Sequence, residues 1–247
     1  MTAEPPATPV PAATLLLLRD DPFEVLMARR RARGQFSSAL VFPGGMVDPE
    51  DGSASWLPLL RNAEGLDEHR RASRVAAIRE TYEEAGVLLG ATGDAPFPPP
   101  EGPLDAAAFR TMIADAGATL DLGLLVPFGH WIAPAILPRR FDTHFFVAAA
   151  PAGQEAVCDG CEIVATEWVR PSELLQRIAA GEGGLVLPTR MNLKRLSESR
   201  NTAEALARAA ARPVVTVEPR VEQRPEGTFV VLPEEAGYGV TEEFRYG

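Results

Sequence analysis

Three glutamates, Glu80, Glu83 and Glu84, crowd into the segment Arg79-Glu80-Thr81-Tyr82-Glu83-Glu84-Ala85-Gly86-Val87. Counted as a helix from Val75, Glu83 falls at about 80°, Glu80 at about 140° and Glu84 at about 180°. Ile78, Tyr82 and Ala85 gather with Val75 on the opposite, apolar side. Gly86 reads as the residue that ends the helix, so the acids occupy its last turns. There the helix dipole disfavours each carboxylate by about 0.3–1 kcal/mol. Glu80 also faces Glu83 and Glu84 at the i+3 and i+4 positions, where like charges repel. Such a cluster favours an oxygen-seeking divalent cation, Mg²⁺ or Mn²⁺. A plain solvated acidic face is the competing reading of the same residues.

Upstream, Val41-Phe42-Pro43-Gly44-Gly45-Met46-Val47-Asp48 leads a short apolar strand into a Pro-Gly-Gly turn. Glycine there permits unusual backbone angles and close approach to a ligand. A carbonyl of such a turn is a good ligand for a hard metal. Together, the turn and the acidic helix resemble the Nudix box, the signature of the Nudix hydrolases. That signature is Gly, five residues, Glu, seven residues, then Arg-Glu-U-X-Glu-Glu-X-Gly-U, with U apolar. Gly45 matches its first glycine, and Arg79, Glu80, Glu83, Glu84, Gly86 and Val87 match its second half. Asp51 stands where the signature has Glu, and Thr81 takes the first apolar place. Gly45 and Arg79 are 34 positions apart (79 less 45) against 14 in the signature, so 20 residues are added.

The resemblance implies an enzyme that hydrolyses a nucleoside diphosphate linked to another moiety, with Mg²⁺ or Mn²⁺ as cofactor. It implies Glu80, Glu83 and Glu84 as metal ligands and the Gly45 carbonyl as a fourth. Arg79 would pair with a glutamate and fix its rotamer. The general base varies in this family; Glu162, beside the Asp159-Gly160 turn, is the leading outside candidate, followed by Glu155. The inserted stretch, with Trp56-Leu57-Pro58-Leu59-Leu60, resembles a branch with an interrupted box that includes mammalian coenzyme A and acyl-coenzyme A diphosphatases. The likeness continues at Trp131-Ile132-Ala133-Pro134, at Pro138 to Thr143 and at Leu187-Pro188. The implied substrate is coenzyme A or acyl-coenzyme A, cleaved to 3′,5′-ADP and a 4′-phosphopantetheine species. ADP-ribose, NADH or a dinucleoside polyphosphate is the rival substrate, and a non-catalytic ligand sensor the rival function.

Arg139-Arg140-Phe141 leaves two readings open. The pair can hold a 3′-phosphate while Phe141 or a guanidinium stacks on adenine, or it can cap the strand with Asp142 as an ionic partner. His144 reads as a packed strand residue. Cys158 and Cys161 form Cys-Asp-Gly-Cys, but the central Asp-Gly is a turn between strands rather than the helix start that activates a redox thiol. The run Arg29-Arg30-Arg31 with Arg33 is a local basic patch of no assigned role.

A chain of 247 residues buries a sizeable core, and 46% hydrophobic with 23% charged residues is ordinary for a globular protein. A net charge of −10 argues against nucleic acid as a partner. No apolar run reaches the roughly 18 residues of a membrane span. Residues 1–11 read as a flexible Pro/Ala-rich tail without a signal peptide's basic start, and a cytoplasmic location is expected. The partner expected is a nucleotide-type small molecule, with a homodimer compatible with the resemblance.

Residues 13–18 and 24–28 read as strands of a hairpin turning at Asp20-Asp21-Pro22, and residues 39–42 as a third. The acidic helix is expected over 72–85, and another over 105–116 with Asp105 as N-cap. Strands follow at 122–133, 143–149 and 162–169, then helices from Pro171 to Gly181, at 189–196 and at 201–211. A late hairpin is expected within 214–232. The pattern is α+β, and the resemblance makes it a Nudix-type α/β/α sandwich, a mixed β-sheet between helices. Residues 12–247 are expected to form a single domain, with the box at 45–87, its insertion at about 52–71 and a C-terminal elaboration at about 185–247.

Overall fold

A computed structural model describes residues 6–31, 40–92, 97, 99, 104–158, 160 and 163–245. The chain opens with β1 (Val10–Arg19), turns at Asp20-Asp21-Pro22 and returns as β2 (Glu24–Arg30). β3 (Leu40–Val41) and β4 (Gly44–Met46) flank the Pro-Gly-Gly turn. Two 3₁₀ turns, Pro49–Gly52 and Ala54–Leu59, lead through β5 (Leu60–Arg61) to α1 (Glu68–Ala85). β6 (Ala91–Thr92), α2 (Ala106–Asp115) and β7 (Thr119–Asp121) follow, then β8 (Val126–Ile132), β9 (Phe141–Ala149) and β10 (Ile163–Val169). Three helices come next, α3 (Pro171–Ala179), α4 (Leu187–Leu196) and α5 (Thr202–Ala211). The chain closes with β11 (Thr216–Val217), β12 (Arg220–Arg224), β13 (Gly227–Val231) and β14 (Glu242–Arg245).

The main sheet runs β10-β2-β1-β9-β8-β11, with β3 added to β2 and β4 to β1. It is mixed: β1 and β9 are parallel, as are β8 and β11, while the other pairs are antiparallel. The run Leu15 to Leu18 explains why β1 is central. Its side chains are buried on both faces, as a sheet covered on two sides requires. Leu16 and Leu18 join Phe145 and Val147 beneath α3, α4 and α5. Ala13, Leu15 and Leu17 join Phe146 and Ala148 beneath α1 and α2. The period-two alternation thus divides two cores, and the sequence expectation of an α/β/α sandwich is met.

Several boundaries differ from the sequence reading. β1 begins at Val10, whose N–H donates to the Arg140 carbonyl at 2.9 Å, so Val10 and Pro11 belong to the sheet. α1 begins at Glu68 rather than 72, because the Asp67 carboxylate caps it by accepting the Arg70 N–H at 2.8 Å. Its first turn is polar and exposed, and so invisible to hydrophobic periodicity. The strand expected over 122–133 starts with a 3₁₀ turn at Leu122–Leu124. The late hairpin is part of a separate three-stranded sheet, β12-β13-β14, while Thr216–Val217 pairs in the main sheet with β8.

The extra residues inside the box are ordered into the α1-side core. Trp56 is 0% exposed and its ring lies 5.7 Å from that of Phe109 on α2. β5 joins β7 and β6 in a small sheet that pins the far end of the insertion. Truncating Trp56 to Ala should destabilise the fold by about 3–5 kcal/mol through the cavity it leaves. Urea denaturation of the variant measures this; a loss under about 1 kcal/mol would mean the insertion does not share the core.

Candidate active site

The second half of the box folds as one helix end. Gly86 takes a left-handed φ of 68° and its N–H closes the last turn onto the Tyr82 carbonyl at 2.8 Å. That end places Arg79 at the centre of a web, with the residue only 5% exposed. Its Nε and Nη2 donate to the two Asp51 oxygens, each at 2.9 Å, in a bidentate fork. Nη2 also donates to the Met46 carbonyl at 3.0 Å, and Nη1 donates to Glu80 at 2.8 Å and Glu83 at 3.1 Å. One guanidinium therefore joins the turn, the start of the insertion and two of the three acids. The glutamate partner expected for Arg79 is present twice, with Asp51 as its strongest contact.

Asp51 is fixed from its other side as well. Its carboxylate accepts the Asp48 N–H at 2.9 Å, completing a capping box on the 3₁₀ turn. The short side chain serves the backbone three residues back and Arg79 at once.

The Pro-Gly-Gly turn lies against the acids. A side chain at Gly44 is excluded, since a Cβ there would stand 2.4 Å from the Ala13 carbonyl oxygen. At Gly45 a Cβ would stand 2.4 Å from the Glu80 carboxylate, so the bare backbone is what lets that acid approach. Glu84 accepts the Gly44 N–H at 2.9 Å and the Arg30 Nη2 at 3.2 Å.

These carboxylates are not a solvated face: the Glu80 and Glu83 side chains are 16% and 19% exposed, and Glu84 is buried. Burial pushes Glu83 up to about 7; Arg79 opposes this and Glu80 adds to it. Burial likewise raises Glu80 and Asp51 against the pull of Arg79. For Arg79 itself, burial works to lower the pKa, but Asp51 and the glutamates outweigh it and keep the guanidinium charged. Among the described residues, four carboxylates (Asp51, Glu80, Glu83, Glu84) share two guanidiniums, Arg79 and Arg30. An all-oxygen donor set of this kind fits a hard divalent cation.

Glu80 and both glycines open onto a cleft of about 770 Å³, of a size suited to a nucleotide-like ligand. Arg30, Arg31, Arg139 and Phe141 line it, with Val186 and Thr189 at α4. The Arg139 guanidinium sits 5.0 Å over the Phe141 ring. Arg140 is a correction to the substrate-binding set. It points the other way, is 6% exposed, and donates to the Ala133 carbonyl at 2.8 Å, to the Ala7 carbonyl at 3.1 Å and to Glu218. It clamps the chain start to the sheet, and its carboxylate partner is Glu218 rather than Asp142.

Arg30 and Arg31 were visible only as a basic run. What selects them is register: β2 pairs Ala28 with Val41 and Arg29 with Leu40, which brings Arg30 alongside the glycine turn. Its Nη2 reaches the Gly44 carbonyl at 3.2 Å, whereas Arg29 turns to Glu167 at 2.9 Å. Of the base candidates, Glu162 lies outside the described residues and Glu155 is exposed on the preceding loop. Cys158 is partly buried, and Cys161 lies outside the described residues.

A family model described as the NUDT19 Nudix domain matches residues 66–196. The human protein named acyl-coenzyme A diphosphatase NUDT19 (Homo sapiens) is 30% identical, over 79% of this chain and 64% of its own length. The chicken protein of the same name (Gallus gallus) is 31% identical, over 70% of this chain and 61% of its own length. The chain thus spans less than two thirds of these curated relatives. A crystal structure of a Nudix hydrolase from Alicyclobacillus acidocaldarius superposes with a TM-score of 0.68 at 32% identity, over 81% of this chain and 96% of that one.

Asp51→Ala should cost about 3–5 kcal/mol of stability, since it leaves the buried Arg79 without its main partner. Glu50→Ala, which breaks the partly exposed pair with Arg110, should cost about 0–1 kcal/mol. Parallel denaturant titrations test the contrast; equal costs would remove Asp51 from the centre of the web.

Proposed function

The chain belongs to the Nudix family, in the group of the NUDT19 Nudix domain, and on that premise we propose that it is a divalent-metal-dependent diphosphatase of coenzyme A or acyl-coenzyme A. Water attacks one phosphorus of the diphosphate, the bridging P–O bond breaks, and 3′,5′-ADP and (acyl-)4′-phosphopantetheine leave. The observation that carries the reading is the shared cleft. Glu80 and the Gly45 backbone lie at one part of its wall, and Arg30, Arg31, Arg139 and Phe141 line the rest. The name of the relatives in the two vertebrates supports the choice of substrate.

In this proposal Glu80, Glu83, Glu84 and the Gly45 carbonyl hold Mg²⁺ or Mn²⁺. When bound, the metal neutralises the diphosphate and activates water. Arg79 keeps Glu80 and Glu83 in one arrangement, so little reorganisation is needed when the substrate arrives. Arg139 and Arg31 are exposed cations suited to the phosphates that the metal does not reach, and Phe141 offers a face for the adenine. Exposed Met46 and Val186 line the cleft and provide apolar surface for an acyl chain. Glu162 remains the proposed base. The loop before it is tied to the end of the acidic helix, where the Val157 N–H donates to the Ala85 carbonyl at 2.8 Å. Residues 12–247 are proposed as one domain, acting in the cytoplasm and pairing as a homodimer. Among the described residues no helix is long and apolar enough to cross a membrane.

The decisive experiment offers the purified protein, with Mg²⁺ or Mn²⁺, coenzyme A, acyl-coenzyme As, ADP-ribose, NADH and diadenosine polyphosphates, and identifies products by mass. Cleavage to 3′,5′-ADP, lost by at least about 10²-fold in Glu83→Gln, is expected. Preference for ADP-ribose would overturn the substrate, and tight nucleotide binding without turnover would favour a sensor.

Because only the ionised carboxylate holds a cation, Mg²⁺ affinity should rise by up to about tenfold per pH unit towards pH 7 and level off above it. The sign for stability is opposite. Glu83 binds its proton more tightly folded than unfolded, so the metal-free protein loses stability as pH rises from 4.5 to about 7. Calorimetric Mg²⁺ titrations across this range test the first statement; a flat affinity would exclude Glu83 as a ligand.

A further inference from the structure

The helix α4 begins in the wall of the cleft. Its N-cap Val186, with Pro188 and Thr189 of its first turn, lines the cleft, while Leu187 between them joins the core. No side chain caps this helix, and no acid stands in its first turn. Its first backbone bond is made by Arg190, whose N–H donates to the Val186 carbonyl at 3.0 Å. The Leu187 and Thr189 N–H groups come before that bond and have no partner among the described residues; Pro188 has no N–H to offer. Thr189 is only 4% exposed, yet its hydroxyl makes no hydrogen bond among the described residues. We propose that the first turn of α4, with the Thr189 hydroxyl, is the subsite for a phosphate monoester of the ligand. Resting on the diphosphatase reading, that group is the 3′-phosphate of coenzyme A.

A helix end with free N–H groups carries partial positive charge and receives anions. The Thr189 hydroxyl adds a donor of a different kind to that end. Buried polar groups are ordinarily hydrogen-bonded, and one left without a partner is a cost to the fold that an anion oxygen in the cleft relieves. Thr14 and Thr143 line the same cleft, but both are only half-buried, where water serves them. The charge of the wall points the same way. Arg30, Arg31 and Arg139 line it against one carboxylate, Glu80. Arg190, next along α4, is taken by Glu243 on β14, so the helix end and the arginines of the cleft supply the positive charge.

This donor set differs from that of the box. The box acids accept a diphosphate only through a cation, whereas N–H and O–H donors without a carboxylate receive a phosphate directly. That assigns α4 to the phosphate that is not cleaved. Such a contact is the same in substrate and transition state, so it selects the ligand and leaves the chemical step alone. Thr189 is therefore a specificity-determining residue.

Calorimetric titration of the full-length chain, in Mg²⁺, with 3′,5′-ADP and with 5′-AMP tests this, since neither has a diphosphate to cleave. The parent chain should bind 3′,5′-ADP at least about tenfold more tightly than 5′-AMP. Thr189→Val, which removes the hydroxyl at nearly equal size, should weaken 3′,5′-ADP by about tenfold and leave 5′-AMP unchanged. Thr189→Ser should keep the parent's preference. Val186→Asp, at an N-cap that is 49% exposed, sets a carboxylate on the same N–H groups and should abolish the preference. That variant decides the matter if Thr189→Val fails to fold. Equal affinity for the two nucleotides in the parent would overturn the subsite, as would equal losses for both in Thr189→Val or a preference that survives Val186→Asp. Cleavage of coenzyme A without the preference removes the subsite and leaves the diphosphatase reading; the preference without cleavage does the reverse.

Discussion

The ion pair between Arg79 and Asp51 is the constraint on which the rest of the site depends. Both side chains are almost wholly buried, at 6% and 0% exposure, where a lone charge costs several kcal/mol and only a paired, fully hydrogen-bonded one is tolerated. The fork fixes the guanidinium plane, and the remaining nitrogen, Nη1, then has one direction in which to donate. That direction is where Glu80 and Glu83 stand. The acids are held in place by the demand of a buried arginine for its full set of acceptors, and helix propensity contributes nothing to that. The dipole and like-charge repulsion that oppose them amount to roughly 1 kcal/mol per residue at most. A bidentate pair in this setting outweighs that.

The same reasoning explains why the glycine turn and the helix end must be built together. Glu84 sets its charge against the Gly44 N–H and Arg30. Gly44 can sit there only because β4 pairs with β1 at Thr14, a register that any Cβ would break. The central strand therefore positions the turn, the turn receives the acid, and the acid's charge is balanced from β2. Each step is a packing or charge requirement of the previous one.

What was legible in the sequence follows from this order. Local patterns were sufficient for the acidic helix end, for the Asp105 cap and for the strand at 13–18, because each is decided within a few residues. The box motif tied Gly45 to Glu80 across the insertion only through resemblance. Arg30 was not legible, since its place depends on how β2 pairs with β3, a non-local fact. Arg140 misled for a related reason. Next to Arg139 in sequence, it is on the opposite side of the strand, and the carboxylate that claims it, Glu218, is 78 residues away. His144 was rightly read as a strand residue, but its meeting with His69 joins two elements 75 residues apart, and no local signal marks it.

The interruption of the box becomes intelligible in energetic terms. Lengthening a loop from 14 to 34 positions adds only about 0.8 kcal/mol of closure entropy. The ends of the loop are already fixed before it departs. Asp51 is locked in its own 3₁₀ cap and to Arg79, and Arg71 of α1 donates to the Gly52 carbonyl at 2.9 Å. Burial of Trp56 alone supplies more than that entropy, at about 25 cal/mol per Å² over a side chain of roughly 150–250 Å². With the added residues in place, Gly45 still lies directly against the Glu80 carboxylate. They extend the core beneath α1, on the face of the sheet away from the cleft, so the insertion contributes to stability and supplies no residue to the cleft wall.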